Sequence, residues 1–265
     1  MCTLVSMNLF LRVLLTPALI ALVSLAGRRW GPAASGLLVG LPLTSGPVLL
    51  ILALQSGTVF AEDAARGIIF GTISVALFCL AYGWAALRWR WPLALLISWL
   101  VFLAATALLQ MLTLPLALAF ALCVAVMALS LAVLPHAPES TAAPLPPPPW
   151  DIPARMVVAA AFVLLLTGAA PQLGPHLTGL LAPFPIFGTV LTVFVHAQAG
   201  RAAALRLLRG LLVGLLSFAS FFLVAGMLIV PAGIAPAFAA AIVTTILIQG
   251  ASQWLFARRR EARYA

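Results

Sequence analysis

The sequence predicts an all-α integral membrane protein of nine transmembrane helices, arranged as two inverted four-helix repeats around a connecting helix, and three observations predict it. First, 65% of the 265 residues are hydrophobic, only 7% are charged and the mean hydropathy is +1.21, a balance that soluble domains of this size do not carry. Second, GPAASGLLVGLPLTSGP from Gly31 to Pro47 returns as GPHLTGLLAPFPIFGTV from Gly174 to Val190, an offset of 143 residues between Gly31 and Gly174. The same offset pairs Pro42 with Pro185, Gln55 with Gln198, Gly57 with Gly200, Arg12 with Arg155, and the run from Arg66 to Gly83 with that from Arg209 to Gly226. These are positions of Gly, Pro, Arg and Gln, which carry local meaning that chance matches of Leu and Ala lack. Third, the cations fall at the ends of apolar runs and crowd one predicted side of the bilayer.

Taken in order, Leu9 to Ala26 is the first span, and Arg28 and Arg29 follow it as a stop signal. A signal peptide is the rival reading, set aside because the offset pairs this run with the internal segment Arg155 to Ala170. Gly31-Pro32 starts a helix and Leu37 to Gln55 is the second span; a polar connector with Glu62 and Asp63 precedes the third, Gly67 to Leu87. Arg88, Trp89, Arg90 and Trp91 form an interfacial anchor. Leu93 to Leu112 and Leu114 to Leu134 are two spans, since together they are too long to cross once. From Pro135 to Pro153 the composition turns Pro-rich, a polyproline-like spacer outside the membrane. Arg155 to Ala170, Pro175 to Gln198, Leu207 to Val230 and Gly233 to Phe256 complete the nine, before a basic tail. The expected organisation is therefore repeat 1 over 7–112, a connecting helix over 113–134, the linker over 135–153, repeat 2 over 154–257 and the tail over 258–265.

One unpaired connecting helix flips the second copy, so parity makes the repeats inverted. Charge gives the same orientation by a separate route. All 14 cations are arginine; Arg12 and Arg66 lie on one side of the predicted topology and the others on the opposite side. The crowded side is read as cytoplasmic, placing the N-terminus in the periplasm and the linker and C-terminus in the cytoplasm of a bacterial inner membrane. This placement also removes the case for a nucleic-acid partner. Cys2, Cys79 and Cys123 have no metal or disulfide spacing and read as packing residues.

The second span of each repeat carries helix breakers at its middle. Gly40, Pro42, Gly46 and Pro47 surround Thr44 and Ser45 in one; Pro183, Pro185 and Gly188 stand with Thr189 and Thr192 in the other. A helix broken in lipid leaves backbone groups that need partners in protein or water. Paired breaks at mid-depth in inverted repeats mark substrate sites in secondary transporters, while as plain kinks the same residues would serve close packing. The expected binding residues are Thr44, Ser45, Gly46, Thr189, Thr192, Arg66 and Arg209, the two arginines as matched gates for an anion or as snorkelling interfacial residues. His176 and His196 sit at opposite ends of the seventh span without partners at metal spacing. No Asp or Glu falls in a predicted span, and no phosphate loop, metal motif or catalytic triad can be assembled, so neither an enzyme nor a bound cofactor or metal is expected.

The segment GLLAPFPIFGTVLTVFVHAQAG from Gly179 to Gly200, followed by RGLLVG, resembles the GlpM family of small bacterial inner-membrane proteins. Gly179, Phe184, Pro185 and His196 match its motif, whereas the first copy has Leu41 before its proline and Ala53 where the histidine would be. The resemblance implies a four-span building block, here duplicated, and a link to alginate production without a defined molecular activity. The paired breaks, not the resemblance, make the expected function transport of a small polar or anionic solute between helices two and seven. An accessory role in envelope polysaccharide or lipid synthesis, or lipid flipping, is the alternative. The expected partners are the lipid bilayer and the solute, with a homodimer allowed.

Overall fold

The computed structural model describes residues 17–42, 45–136, 148–161, 164–165 and 185–261, and among these the regular structure is entirely helical. Nine helical elements occur there: α1 (17–30), α2 (Pro32–Val39), α3 (Ser45–Ser56), α4 (Thr58–Arg88), α5 (Trp91–Leu109), α6 (Leu116–Val133), α7 (151–161), α8 (Ile186–Ile229) and α9 (Ile234–Glu261). Among the described residues, five stretches are long and apolar enough to cross a membrane: α4, α5, α6, α8 and Ile234–Gln253 of α9. Large apolar side chains such as Leu96, Leu100, Leu118, Leu129 and Ile246 point outward, which lipid tolerates and water does not. The chain is a multi-pass membrane protein.

The nine elements are not the nine expected spans one for one. The second span is two pieces, because α2 stops at Val39 and α3 starts at Ser45. The polar connector before the third span is helical: α4 begins immediately after Gly57 and carries Glu62, Asp63 and Arg66 in its opening turns. Leaving the apolar core does not end a helix whose residues have ordinary propensity. The 44 residues of α8 would reach about 66 Å as one rod, twice a bilayer core; a non-helical Gly200 at φ 77° and ψ 177° divides it. Gly57, between α3 and α4, has φ 90° and ψ 168°. Both glycines take a backbone region that a side chain would forbid.

Glycines also set the closest approach. On α2, a Cβ at Gly36 would strike the carbonyl of Leu207, and one at Gly40 would strike Gly214; in return Gly210 faces Ala33 and Gly214 faces Leu37. The pairs Gly36/Gly40 and Gly210/Gly214 are small residues one helical turn apart, the spacing that lets two backbones touch. Partners rise together along both helices, so α2 runs parallel to the part of α8 beyond Gly200.

That part of α8 runs antiparallel to α4, with Gly226 against Ala65 and Gly83 against Leu205. The intervening α6 spans both contacts, Leu116 reaching Gly226 and Leu134 reaching Gly83. The main core fills this junction and extends to α5, with Phe78, Tyr82, Phe102, Leu205, Leu212 and Phe222 fully buried. A smaller core joins α1, α7 and α8 through Ile20, Val23, Ala159, Val190, Leu191 and Leu207.

Candidate functional site

The gap between α2 and α3 is the first place where backbone groups lose helical partners. Leu37 O receives Gly40 N at 3.1 Å, closing the last turn, and also Gln249 Nε2 of α9 at 3.0 Å. The other end of that amide, Gln249 Oε1, is 2.9 Å from Ser217 Oγ, which lies 2.8 Å from Gly214 O and 3.4 Å from Gly40 O. Ser217 and Gln249 are both buried, so the broken end of α2 is clamped by side chains of α8 and α9.

On the far side of the gap, Ser45 opens α3 and Gly46 N donates to Pro42 O at 2.9 Å. Gly46 is buried; a Cβ there would lie 3.5 Å from the Phe221 ring. Pro47 is exposed in the first turn, a position that tolerates its missing donor. Thr44 lies outside the described residues.

In the second repeat, Pro183 is likewise outside them, while Pro185 is buried at the cap of α8 and accepts Thr189 N at 2.8 Å. Thr189 Oγ1 accepts Trp99 Nε1 of α5 at 3.2 Å. Thr192 is fully buried and its hydroxyl has no partner among the described residues. Among the described residues no hydrogen bond joins Ser45 or Gly46 to Thr189 or Thr192.

The two arginines expected as gates are engaged differently. Arg66 pairs within its own helix, with Asp63 at 3.2 Å and Glu62 at 3.9 Å, and its Nε is buried without a partner among the described residues. Arg209 donates to Leu134 O at 2.6 Å and to Pro135 O at 3.3 Å, covering the carbonyl end of α6, where a cation also complements the helix dipole.

One cluster lay outside the expected site. Asp151 opens α7 and is 1% exposed. Its Oδ1 accepts Arg155 Nε at 2.8 Å and Gln198 Nε2 at 2.7 Å, and its Oδ2 accepts Arg28 at 3.3 Å. Arg155 in turn stands 5.3 Å above the Phe194 ring. Burial works to raise the Asp151 pKa, but the hydrogen bond and charge of Arg155, then Gln198 and Arg28, outweigh it and hold the carboxyl below its usual range. Hydropathy cannot find such a group, since it scores residues one by one and the partners come from three helices. The available signal was the four-residue spacing of Asp151 and Arg155 at a helix start.

Nearby, His196 Nδ1 is 3.0 Å from the hydroxyl of buried Tyr82, with the rings edge to face at 5.7 Å, and Arg201 donates to Leu87 O at 3.4 Å. Arg28, Asp151, Gln198, His196, Tyr82 and Arg201 thus form a belt of ties across α1, α4, α7 and α8. Elsewhere, an apolar groove of about 390 Å³ between α1 and α2 is lined by Leu19, Leu22, Val23, Arg29, Trp30 and Leu41. Among the described residues no three His, Cys, Asp or Glu side chains gather as a metal site would need.

Comparison with known proteins finds no family model, no curated protein and no solved structure that matches the chain.

Proposed function

We propose that the protein is a secondary transporter of a small polar or anionic solute, built from two inverted four-span repeats, with the solute held between the α2–α3 break and the start of α8. The observation that carries this reading is the pair formed by α4 and the distal part of α8. The offset relates these two segments, they run antiparallel, and their equivalent glycines Gly83 and Gly226 each face the opening turns of the other segment. That is the geometry expected when one copy is inverted against the other. Gly57 and Gly200, also related by the offset, share an unusual backbone conformation, which supports the same view. The buried Thr192 hydroxyl without a partner is where a polar solute would find a donor or acceptor.

The reading extends to location. A bacterial inner membrane with the N-terminus periplasmic and the C-terminus cytoplasmic fits the arginine bias, and the chemistry envisaged is movement, not catalysis. In cells shown to transport with the intact protein, Pro42→Ala with Pro185→Ala, or Arg66→Leu with Arg209→Leu, should lower uptake or efflux by at least tenfold. Unchanged flux would remove the site.

One observation favours a second reading. The Leu37 carbonyl at the end of α2 is already bonded by Gln249, as a permanent kink would require, and a non-transporting accessory of envelope polysaccharide or lipid synthesis needs nothing more. An enzyme partner that co-purifies through detergent, with no dependence on Pro42 or Pro185, would select it.

A further inference from the structure

Asp151 is held as a bound anion would be held. Three donors from three helices converge on one carboxylate: Arg155 Nε at 2.8 Å and Gln198 Nε2 at 2.7 Å on Oδ1, and Arg28 at 3.3 Å on Oδ2. The Asp151 and Arg155 side chains are 2% and 8% exposed, whereas that of Arg28 is 34% exposed. The cluster therefore has a dry floor, stacked on Phe194, and a wet rim at Arg28. Among the described residues two guanidiniums face one carboxylate, and a net positive charge in a desolvated setting favours a further anion. The carboxylate itself is tethered at the first turn of α7, so it can leave the donors without leaving the protein.

We propose that Arg28, Arg155 and Gln198 form an oxyanion site that Asp151 occupies as a tethered ligand, and that a free carboxylate or phosphate-like anion entering at Arg28 exchanges with it. The role in moving a solute rests on the transport reading above; the occupancy does not, and is tested without transport.

The probe is formate, the smallest free carboxylate, added to purified protein in nonionic detergent at constant ionic strength against chloride. Removing the tethered carboxylate by Asp151→Ala should lower the unfolding midpoint, and formate should restore it by roughly 5 °C at saturation, with little effect on the intact protein. Adding Arg155→Gln to Asp151→Ala should abolish the restoration. Asp151→Asn, which keeps the side-chain volume, should show a larger formate response than the intact protein if the alanine variant does not fold. A formate response in the variants no greater than in the intact protein overturns the site, and so does failure of both variants to fold in either salt, which would make Asp151 a packing residue. A failed rescue leaves the flux test on Pro42 and Arg66 standing, and a failed flux test leaves this one standing.

Discussion

Asp151 shows how much a single side chain can hold together when its partners are spread over three helices. Neutralising it strands the buried guanidinium of Arg155, while Arg28 at the wet rim stays solvated, and Asp151→Asn should cost about 2 kcal/mol of stability in chloride. The pH dependence follows from the direction of its shift. The folded carboxyl titrates below its ordinary value of 3.8, so its contribution is complete above that value and is lost as pH falls through the folded pKa. The stability gap between the intact protein and Asp151→Asn should be flat from about pH 8 to about pH 5 and close only in stronger acid; a gap that closes near neutrality would refute the assignment. Arg155 and Gln198 are visible in the sequence as repeat-paired positions, but composition alone assigns the carboxylate joining them to a Pro-rich spacer. Its burial depends on where three chain segments end in space, which no local pattern encodes.

At the scale of the helix, the breaks and the glycines were the legible part. Gly31 and Pro32 start α2, and the helix ends at Val39, just before the Gly40–Pro42 breakers. Gly57 and Gly200 were marked only as a repeated pair; the structure adds that both have positive φ. Replacing either by alanine should destabilise the protein by about 1–3 kcal/mol, measured by chemical or thermal unfolding in detergent. What could not be read was how the broken end of α2 is satisfied, because Gln249 lies 212 residues from Leu37 in the chain. Gln249→Leu would leave Leu37 O with one partner fewer and Ser217 without its amide, a loss of about 1–3 kcal/mol. If that variant unfolds at the same point as the intact protein, the clamp does not hold the break.

For the whole molecule, hydropathy identified a multi-pass helical protein at once, since exposed leucines and buried alanines average to the same apolar signal. It placed helix ends less well, extending neither α4 back to Thr58 nor α7 back to residue 151, because polar residues at a membrane surface remain helical. The relative directions of α2, α4, α6 and α8 agree with the order of crossings counted from the sequence, although sidedness is a separate matter. A reporter fused after Leu145 should be cytoplasmic; a periplasmic signal would reverse the orientation.

The division of the second span also has an electrical consequence. The 8 residues of α2 and the 12 of α3 rise about 12 and about 18 Å, together close to the thickness of a hydrocarbon core. In the proposed nine-span arrangement the break would lie roughly two fifths of the way from the α2 face. A singly charged solute that reached it from that face would cross a similar share of the transmembrane voltage, about 1 kcal/mol per 100 mV. Occupancy of the break by an ion would follow the membrane potential as well as concentration, whereas a neutral solute would ignore it.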